Sequence, residues 1–333
     1  MKWVKRIGGG ILLLVAVALL FGFSYELLSR SRADKNYPPP GKLVTVSDHK
    51  LHALAKGSGS PTVIFESGLG FDGHMSWYKV QDEVAKFTQA VSYDRAGVMW
   101  SERGSNEKSA AMITAELKLM LENGGFGPPY IFVGHSLAGL TGRPFISDNQ
   151  DHMEGVVFVD VSHPNQYEAT PEELKGGGSL PDFLLAMLRI FGGMRYIITS
   201  APLPTDDPND AYSTIVPHMI HRSKGAFDES SQTEMIAKEV QLIESFGDIP
   251  LVVITGASPT RNDNMNVSQE TREYMTRKWH EFQEDLLNLS SSSDHIMAMK
   301  SGHHVQISEP ELVIESIRDL VNRWRSKESS GAH

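Results

Sequence analysis

Hydrophobic positions follow two patterns along this 333-residue chain. The first is one unbroken block. Ile7 to Phe23 is almost entirely apolar, with Lys2, Lys5 and Arg6 ahead of it and Arg30, Arg32 and Lys35 behind. As a helix the block would be roughly 25 Å long, just short of the hydrocarbon thickness of a bilayer. A basic tip followed by such a block predicts, over residues 1–25, a signal peptide or a retained signal anchor. The anchor is favoured, because Gly22 and Ser24 are small but no A-x-A cleavage pattern is present. The basic tip places the N-terminus in the cytoplasm and the remainder outside, or in the medium if the segment is removed. Residues 26–41, polar and closed by Pro38-Pro39-Pro40, are expected to be a linker.

The second pattern is alternation. From Leu43 onward, short apolar runs bounded by turn residues interleave with amphipathic stretches. Leu43–Val46 and Leu51–Ala55 predict an entry hairpin. Thr62–Glu66, Ala90–Asp94, Tyr130–Val133, Gly155–Asp160, Leu251–Thr255 and His295–Met299 predict strands. Helices are expected around Trp77–Phe87, over Met112–Glu122 with Gly124-Gly125 as its stop, after Gly139, and over Pro310–Arg325. Continuous apolar strands between helices mean an α/β fold with a mostly parallel sheet covered on both faces. The alternation lapses over about 162–246, which is helical, carries Met187, Met194, Met219 and Met235, and is loosened by Gly176-Gly177-Gly178. Such a stretch is far longer than a normal connection and predicts a helical cap above the C-terminal ends of the strands. The folded domain is expected over 42–327, with 328–333 as a frayed tail.

Composition then removes whole classes of chemistry. There is no cysteine, so disulfides, thiolate zinc sites, iron–sulfur clusters and cysteine nucleophiles are all excluded. With 31 Lys+Arg against 41 Asp+Glu the net charge is −10, and no nucleic acid is expected as a partner. His218 and His221, spaced i, i+3, lack a third ligand nearby and are assigned to the cap surface; no metal or cofactor is expected.

The chemistry gathers at turns that follow strands. Gly134-His135-Ser136-Leu137-Ala138-Gly139 comes directly after a buried strand and opens a helix. A serine lifted off a strand in this way needs an unusual φ/ψ, and small residues two before and two after it, which Gly134 and Ala138 provide. Serine needs a base, and His303 in Ser301-Gly302-His303, between the last strand and the last helix, is better placed than His304. His135 is expected to point away from the nucleophile. Asp160, ending its strand at the same sheet edge, is favoured as the acid; Asp263 is the competitor, and Asp294 lies at the wrong end of its strand. Backbone N–H groups of Leu69, in the loop Ser67-Gly68-Leu69-Gly70, and of Leu137 are expected to form the oxyanion hole.

These residues together resemble the α/β-hydrolase superfamily, from about Lys42 to Lys327. The marks are Glu66-Ser67-Gly68-Leu69-Gly70, Tyr93-Asp94-Arg95-Ala96-Gly97, the elbow Gly134–Gly139, Val159-Asp160-Val161-Ser162-His163-Pro164 and Ser301-Gly302-His303. The resemblance implies a Ser–His–Asp triad, an acyl-enzyme and no cofactor. Two departures stand out: Ala138 where glycine is usual, and no aspartate in Gly256-Ala257-Ser258-Pro259, which moves the expected acid to Asp160. Ser136 in place of an elbow aspartate argues against epoxide opening and dehalogenation. The expectation is a membrane-anchored or exported carboxylic ester hydrolase acting on a small ester or acyl substrate. Acyltransferase, lactonase, thioesterase, amidase or peptidase activity on the same triad are alternatives, as is a non-catalytic binding protein of the same fold.

Overall fold

The structure, a computed structural model, describes residues 2–175, 181–200, 203–205, 207–263 and 265–331; Gly176-Gly177-Gly178 lie outside them. The chain forms two compact units, one of residues 1–38 with 177–222, the other of 39–176 with 223–333.

The larger unit is built on an eight-stranded sheet. Its strands are β1 (Lys42–Val46), β2 (His49–Lys56), β3 (Thr62–Glu66), β4 (Gln89–Tyr93), β5 (Tyr130–His135), β6 (Met153–Val159), β7 (Leu251–Gly256) and β8 (Ser293–Ala298). Their order is β1-β2-β4-β3-β5-β6-β7-β8. β2 is antiparallel to both of its neighbours, and β4 to β8 with β3 form a parallel block. The register sets Ile64 of β3 between Val91 of β4 and Phe132 of β5. Alternate side chains leave opposite faces, and both faces are covered. Ile64, Phe132, Phe158 and Val253 pack with Leu117, Met120 and Phe145 from helices Ala110–Gly124 and Ala138–Asp148. Val63, Phe65, Val133 and Ile254 pack with Val313, Ile317 and Val321 of helix Pro310–Gly331. Burial on both sides is the reason the strands read as unbroken apolar runs.

Local chemistry sets the helix ends. The Ser109 side chain accepts from the Met112 N–H at the start of Ala110–Gly124, and Gly125, at φ +71°, stops it. The helix expected around Trp77–Phe87 is instead a 3₁₀ turn at Gly73–Trp77 and a single helical turn at Gln81–Val84. Trp77, Val80 and Val84 are fully buried there, so the segment hugs the sheet rather than forming an independent cylinder. Helix Gln269–Asp285 was not anticipated.

The smaller unit holds a helix from Lys2 to Asn36, 35 residues long. It is long and apolar enough to cross a membrane. It also continues through most of the segment read as a linker. Glu26 and Arg30 form an i, i+4 pair at 2.9 Å, and neither glycine nor proline occurs from Phe23 to Tyr37. Residues 181–222 contribute helices Asp182–Ile190, Gly193–Thr199 and Ala211–Ile215 to this unit. The buried Arg195 donates to both oxygens of Glu26, from Nε at 2.8 Å and Nη2 at 3.1 Å. His218 stacks on Tyr37 with ring centroids 5.5 Å apart, and His221 Nε2 lies 3.1 Å from Asp34. The insertion after β6 is therefore shared: 162–176 and 223–246 go with the sheet, 177–222 with the N-terminal helix.

Candidate active site

The C-terminal ends of β5, β6, β7 and β8 deliver their following residues to one edge of the sheet. Ser136, just past β5, has φ +52°, and Asp160, just past β6, has φ +47°. Left-handed conformations are unusual for non-glycine residues and mark both turns as forced by their surroundings. At the elbow a Cβ on Gly134 would lie 2.9 Å from that of Ala138, so small residues are needed there. The tightest position is Gly139, where a Cβ would come within 2.6 Å of the Ser162 carbonyl oxygen and of Val161 Cβ.

Ser136 Oγ lies 2.9 Å from His303 Nε2, and His303 Nδ1 lies 2.6 Å from Asp160 Oδ2. A carboxylate only accepts, so Nδ1 carries the proton and Nε2 presents its lone pair to the Ser136 hydroxyl. Asp160 is fully buried. Its Oδ1 accepts from Gly256 N at 2.9 Å, Arg261 Nη1 at 2.8 Å and Trp279 Nε1 at 2.8 Å. Arg261 Nη2 is 2.7 Å from Oδ2. Burial alone would raise the carboxyl pKa. The His303 hydrogen bond and the Arg261 charge outweigh it and hold Asp160 well below the ordinary carboxylate range. Asp263 is exposed and its N–H donates to the Thr260 carbonyl; Asp294 is exposed at the start of β8.

The loop after β3 lies against the elbow. A Cβ on Gly68 would be 2.8 Å from Ser136 Cβ and 2.9 Å from His135 Nδ1, so only glycine lets the backbone carrying Leu69 come this close. Leu137 is buried at the start of the helix that follows Ser136. Arg95, after β4, holds the loop from behind: its Nη1 donates to the Ser67 carbonyl at 2.6 Å and Nη2 to that of Gly68 at 2.8 Å. Glu229 accepts from Arg95 Nε and Nη2, both at 2.9 Å.

His135 does not turn away. Its ring packs 4.7 Å from that of His303, and its Nε2–H donates to the His303 carbonyl at 2.9 Å. Burial, and then the neighbouring His303, push His135 well below the ordinary imidazole range and His304 down to about 4. An unfolded histidine takes up a proton near pH 6.5. Folding withholds that proton from both rings, so their contribution to stability is full above this pH and is lost as pH falls towards about 4. Urea midpoints across this window are expected to fall more steeply for the wild type than for His304→Gln. Equal slopes would show that His304 is not the group responsible.

Among the described residues, the group able to gather round a metal ion is His52, His74 and Asp94, all buried. His52 Nδ1 and His74 Nδ1 are each 2.9 Å from Asp94, and His52 Nε2 accepts from Gly41 N. Both His52 nitrogens are already engaged, which suits a hydrogen-bonded strut better than a metal centre.

Ser136 and His303 open onto a cleft of about 390 Å³ within the larger unit, lined also by Tyr167, Met275, Trp279 and Phe282. Arg261 and Trp279 are the site residues that the sequence reading missed. The helix of Trp279 carried a signal: Met275, Trp279, Phe282 and Leu286 recur at i, i+4, i+7 and i+11 after a Ser268 cap; Arg261, in the turn after β7, had none.

A family model described as alpha/beta hydrolase fold matches residues 61–189. An AB hydrolase superfamily protein of Gibberella zeae is 24% identical over 283 residues, covering 80% of this chain and 87% of the relative. Protein YbdG of Bacillus subtilis is 20% identical over 332 residues, covering 95% of each chain. Among solved structures, the enol-lactonase of Burkholderia xenovorans LB400 superposes with a TM-score of 0.61 at 16% identity, covering 84% of this chain and all of that one. A thermophilic esterase of Thermogutta terrifontis gives 0.56 at 16% identity, over 84% and 97%. An epoxide hydrolase, CorEH, also gives 0.56 at 16% identity, over 85% and 98%. One architecture thus carries several hydrolytic chemistries in these neighbours. With this sheet order, a serine elbow after β5 and a histidine after β8, the chain has the α/β-hydrolase fold.

Proposed function

We propose that this protein is a serine hydrolase that cleaves carboxylic esters through an acyl-enzyme. The observation that carries the reading is the unbroken hydrogen-bonded path from Ser136 through His303 to Asp160. Ser136 Oγ attacks the ester carbonyl carbon while His303 Nε2 takes its proton. Asp160 stays ionised and holds the imidazolium that forms. The N–H groups of Leu69 and Leu137 donate to the developing oxyanion. The imidazolium then protonates the departing alkoxide, leaving an acyl-serine. A water deprotonated by His303 attacks that ester, releases the acid and restores Ser136. The cleft, with Tyr167, Met275, Trp279 and Phe282 on its walls, fits a medium-sized apolar acyl or alcohol group. We read the N-terminal helix as a retained anchor because its Glu26 is built into a buried ion pair, and its basic tip, Lys2, Lys5 and Arg6, favours the larger unit on the non-cytoplasmic side.

The test is labelling of the folded protein with a fluorescent fluorophosphonate, followed by turnover of nitrophenyl esters of graded chain length. Wild type should label and Ser136→Ala should not. A wild type that is folded yet inert to the fluorophosphonate and to a small sulfonyl fluoride would leave the binding-protein alternative. Added alcohol that diverts product into a new ester would identify acyl transfer. Trp279→Phe removes one donor to Asp160 and keeps the ring. A hydrogen bond to a charged group contributes about 1.5 kcal/mol, so kcat/KM should fall about ten-fold. An unchanged value would remove Trp279 from the acid's support.

A further inference from the structure

The two helices Asp182–Ile190 and Gly193–Thr199 expose apolar side chains where a water-facing surface would carry charge. Phe183, Met187 and Ile190, spaced i, i+4, i+7, share one helix face and are 71%, 40% and 43% exposed. Tyr196 and Ile197 on the second helix are 74% and 50% exposed. From 183 to 199 the charged side chains are Arg189 and Arg195 alone, and Arg195 is buried against Glu26.

This hairpin meets the N-terminal helix of the same unit at a defined height. At Gly22 a Cβ would lie 2.5 Å from the Phe191 carbonyl oxygen, so glycine alone admits the contact. The Phe23 and Phe191 rings are 6.5 Å apart, and Arg30 donates to the Arg189 carbonyl at 2.9 Å. Gly22 and Phe23 are the last residues of the apolar block. The hairpin's turn is therefore level with the plane where a membrane-crossing helix would leave the hydrocarbon. Just past that plane Leu27 and Leu28 remain 57% and 56% exposed, extending the apolar surface along the helix.

We propose that the hairpin Asp182–Thr199 is a second membrane-contacting element, seated in the headgroup–acyl boundary of the bilayer that the N-terminal helix crosses. The proposal rests on reading that helix as a retained anchor. The occupant is a lipid surface, because the exposed face is continuous with a helix of membrane-spanning length and composition and carries an interfacial tyrosine. The Glu26–Arg195 pair fixes how the hairpin is turned about the helix.

The cysteine-free sequence makes the test direct. Leu14→Cys, Phe183→Cys and Ile190→Cys, each in the full chain, are labelled with a polarity-sensitive fluorophore in vesicles of phosphatidylcholine and phosphatidylglycerol. Nitroxide-labelled lipids then report depth. Labels at 183 and 190 should emit to the blue and lose roughly half their intensity to nitroxides near the headgroup, while the label at 14 responds to nitroxides at the acyl terminus. If position 14 is quenched while 183 and 190 emit as in water, the anchor stands and the hairpin proposal falls. A position 14 label that no lipid quenches removes the anchor, and the proposal with it. Blue emission at 183 and 190 without lipid quenching assigns the face to a second copy of the chain and also overturns the proposal.

Discussion

Ser136→Ala is expected to lower kcat for ester hydrolysis by about 10⁶-fold and Asp160→Asn by about 10⁴-fold, with the double variant no slower than Ser136→Ala alone. The ordering follows from geometry. Alanine removes the attacking oxygen, after which the base and acid have nothing to activate. Asparagine at 160 keeps shape and packing but replaces the acceptor facing His303 Nδ1, 2.6 Å away, with a group that can donate. The imidazole is then free to turn its proton towards Ser136, where a lone pair is required. The same change strips the charge that faces Arg261 at 2.7 Å, so some loss of stability should accompany it. Rates from single-turnover acylation, with folding checked by circular dichroism, separate the two effects. If Asp160→Asn is within ten-fold of wild type, another group orients His303; Asp263→Asn is the control, expected to be near neutral.

The largest effect on stability is expected from Glu229→Ala. Arg95 and Glu229 are both buried, and their paired charges raise the Arg95 guanidinium pKa even against burial. The other nearby carboxyl, Glu66, is pushed upward by burial and stands 3.8 Å from Arg95, so it is a weak substitute. Removing one partner of a buried pair strands the other charge and typically costs about 3–5 kcal/mol. Replacing both, as Arg95→Met with Glu229→Leu, should return most of that stability. It should not return activity, because the Ser67 and Gly68 carbonyls lose the donors that fix the loop proposed to supply an oxyanion N–H. Urea unfolding and ester turnover on the wild type, Glu229→Ala and the double variant read out both halves. Recovery of activity together with stability would show that the loop holds its position without Arg95.

The parallel sheet was legible because strands buried on both faces leave long apolar runs, and the elbow because its steric needs restrict five consecutive residues. Side-chain partners that cross the sheet edge were not. Arg261 and Trp279 reach Asp160 from 101 and 119 residues away, and nothing local to either residue announces an acid as its target. Arg95 was visible as part of a motif, whereas its grip on two loop carbonyls depends on how β3 and β4 lie side by side. The insertion misled for a related reason. Its helical character was plain, but a sequence run cannot reveal that its middle would pack with the chain's first helix rather than stay with its own flanks. His135 was misjudged because the sharpness of the turn was weighed and the approach of the His303 loop was not.

The positive φ of Ser136 has a consequence for how this protein can evolve or be engineered. A β-carbon in that conformation costs free energy that glycine would not, and the surrounding sheet, elbow and the loop after β3 supply it. The most comfortable residue for the turn is thus one with no hydroxyl. Selection for thermal robustness alone would push this position towards silence, and under the proposed hydrolysis it is demand for turnover that keeps the serine in place.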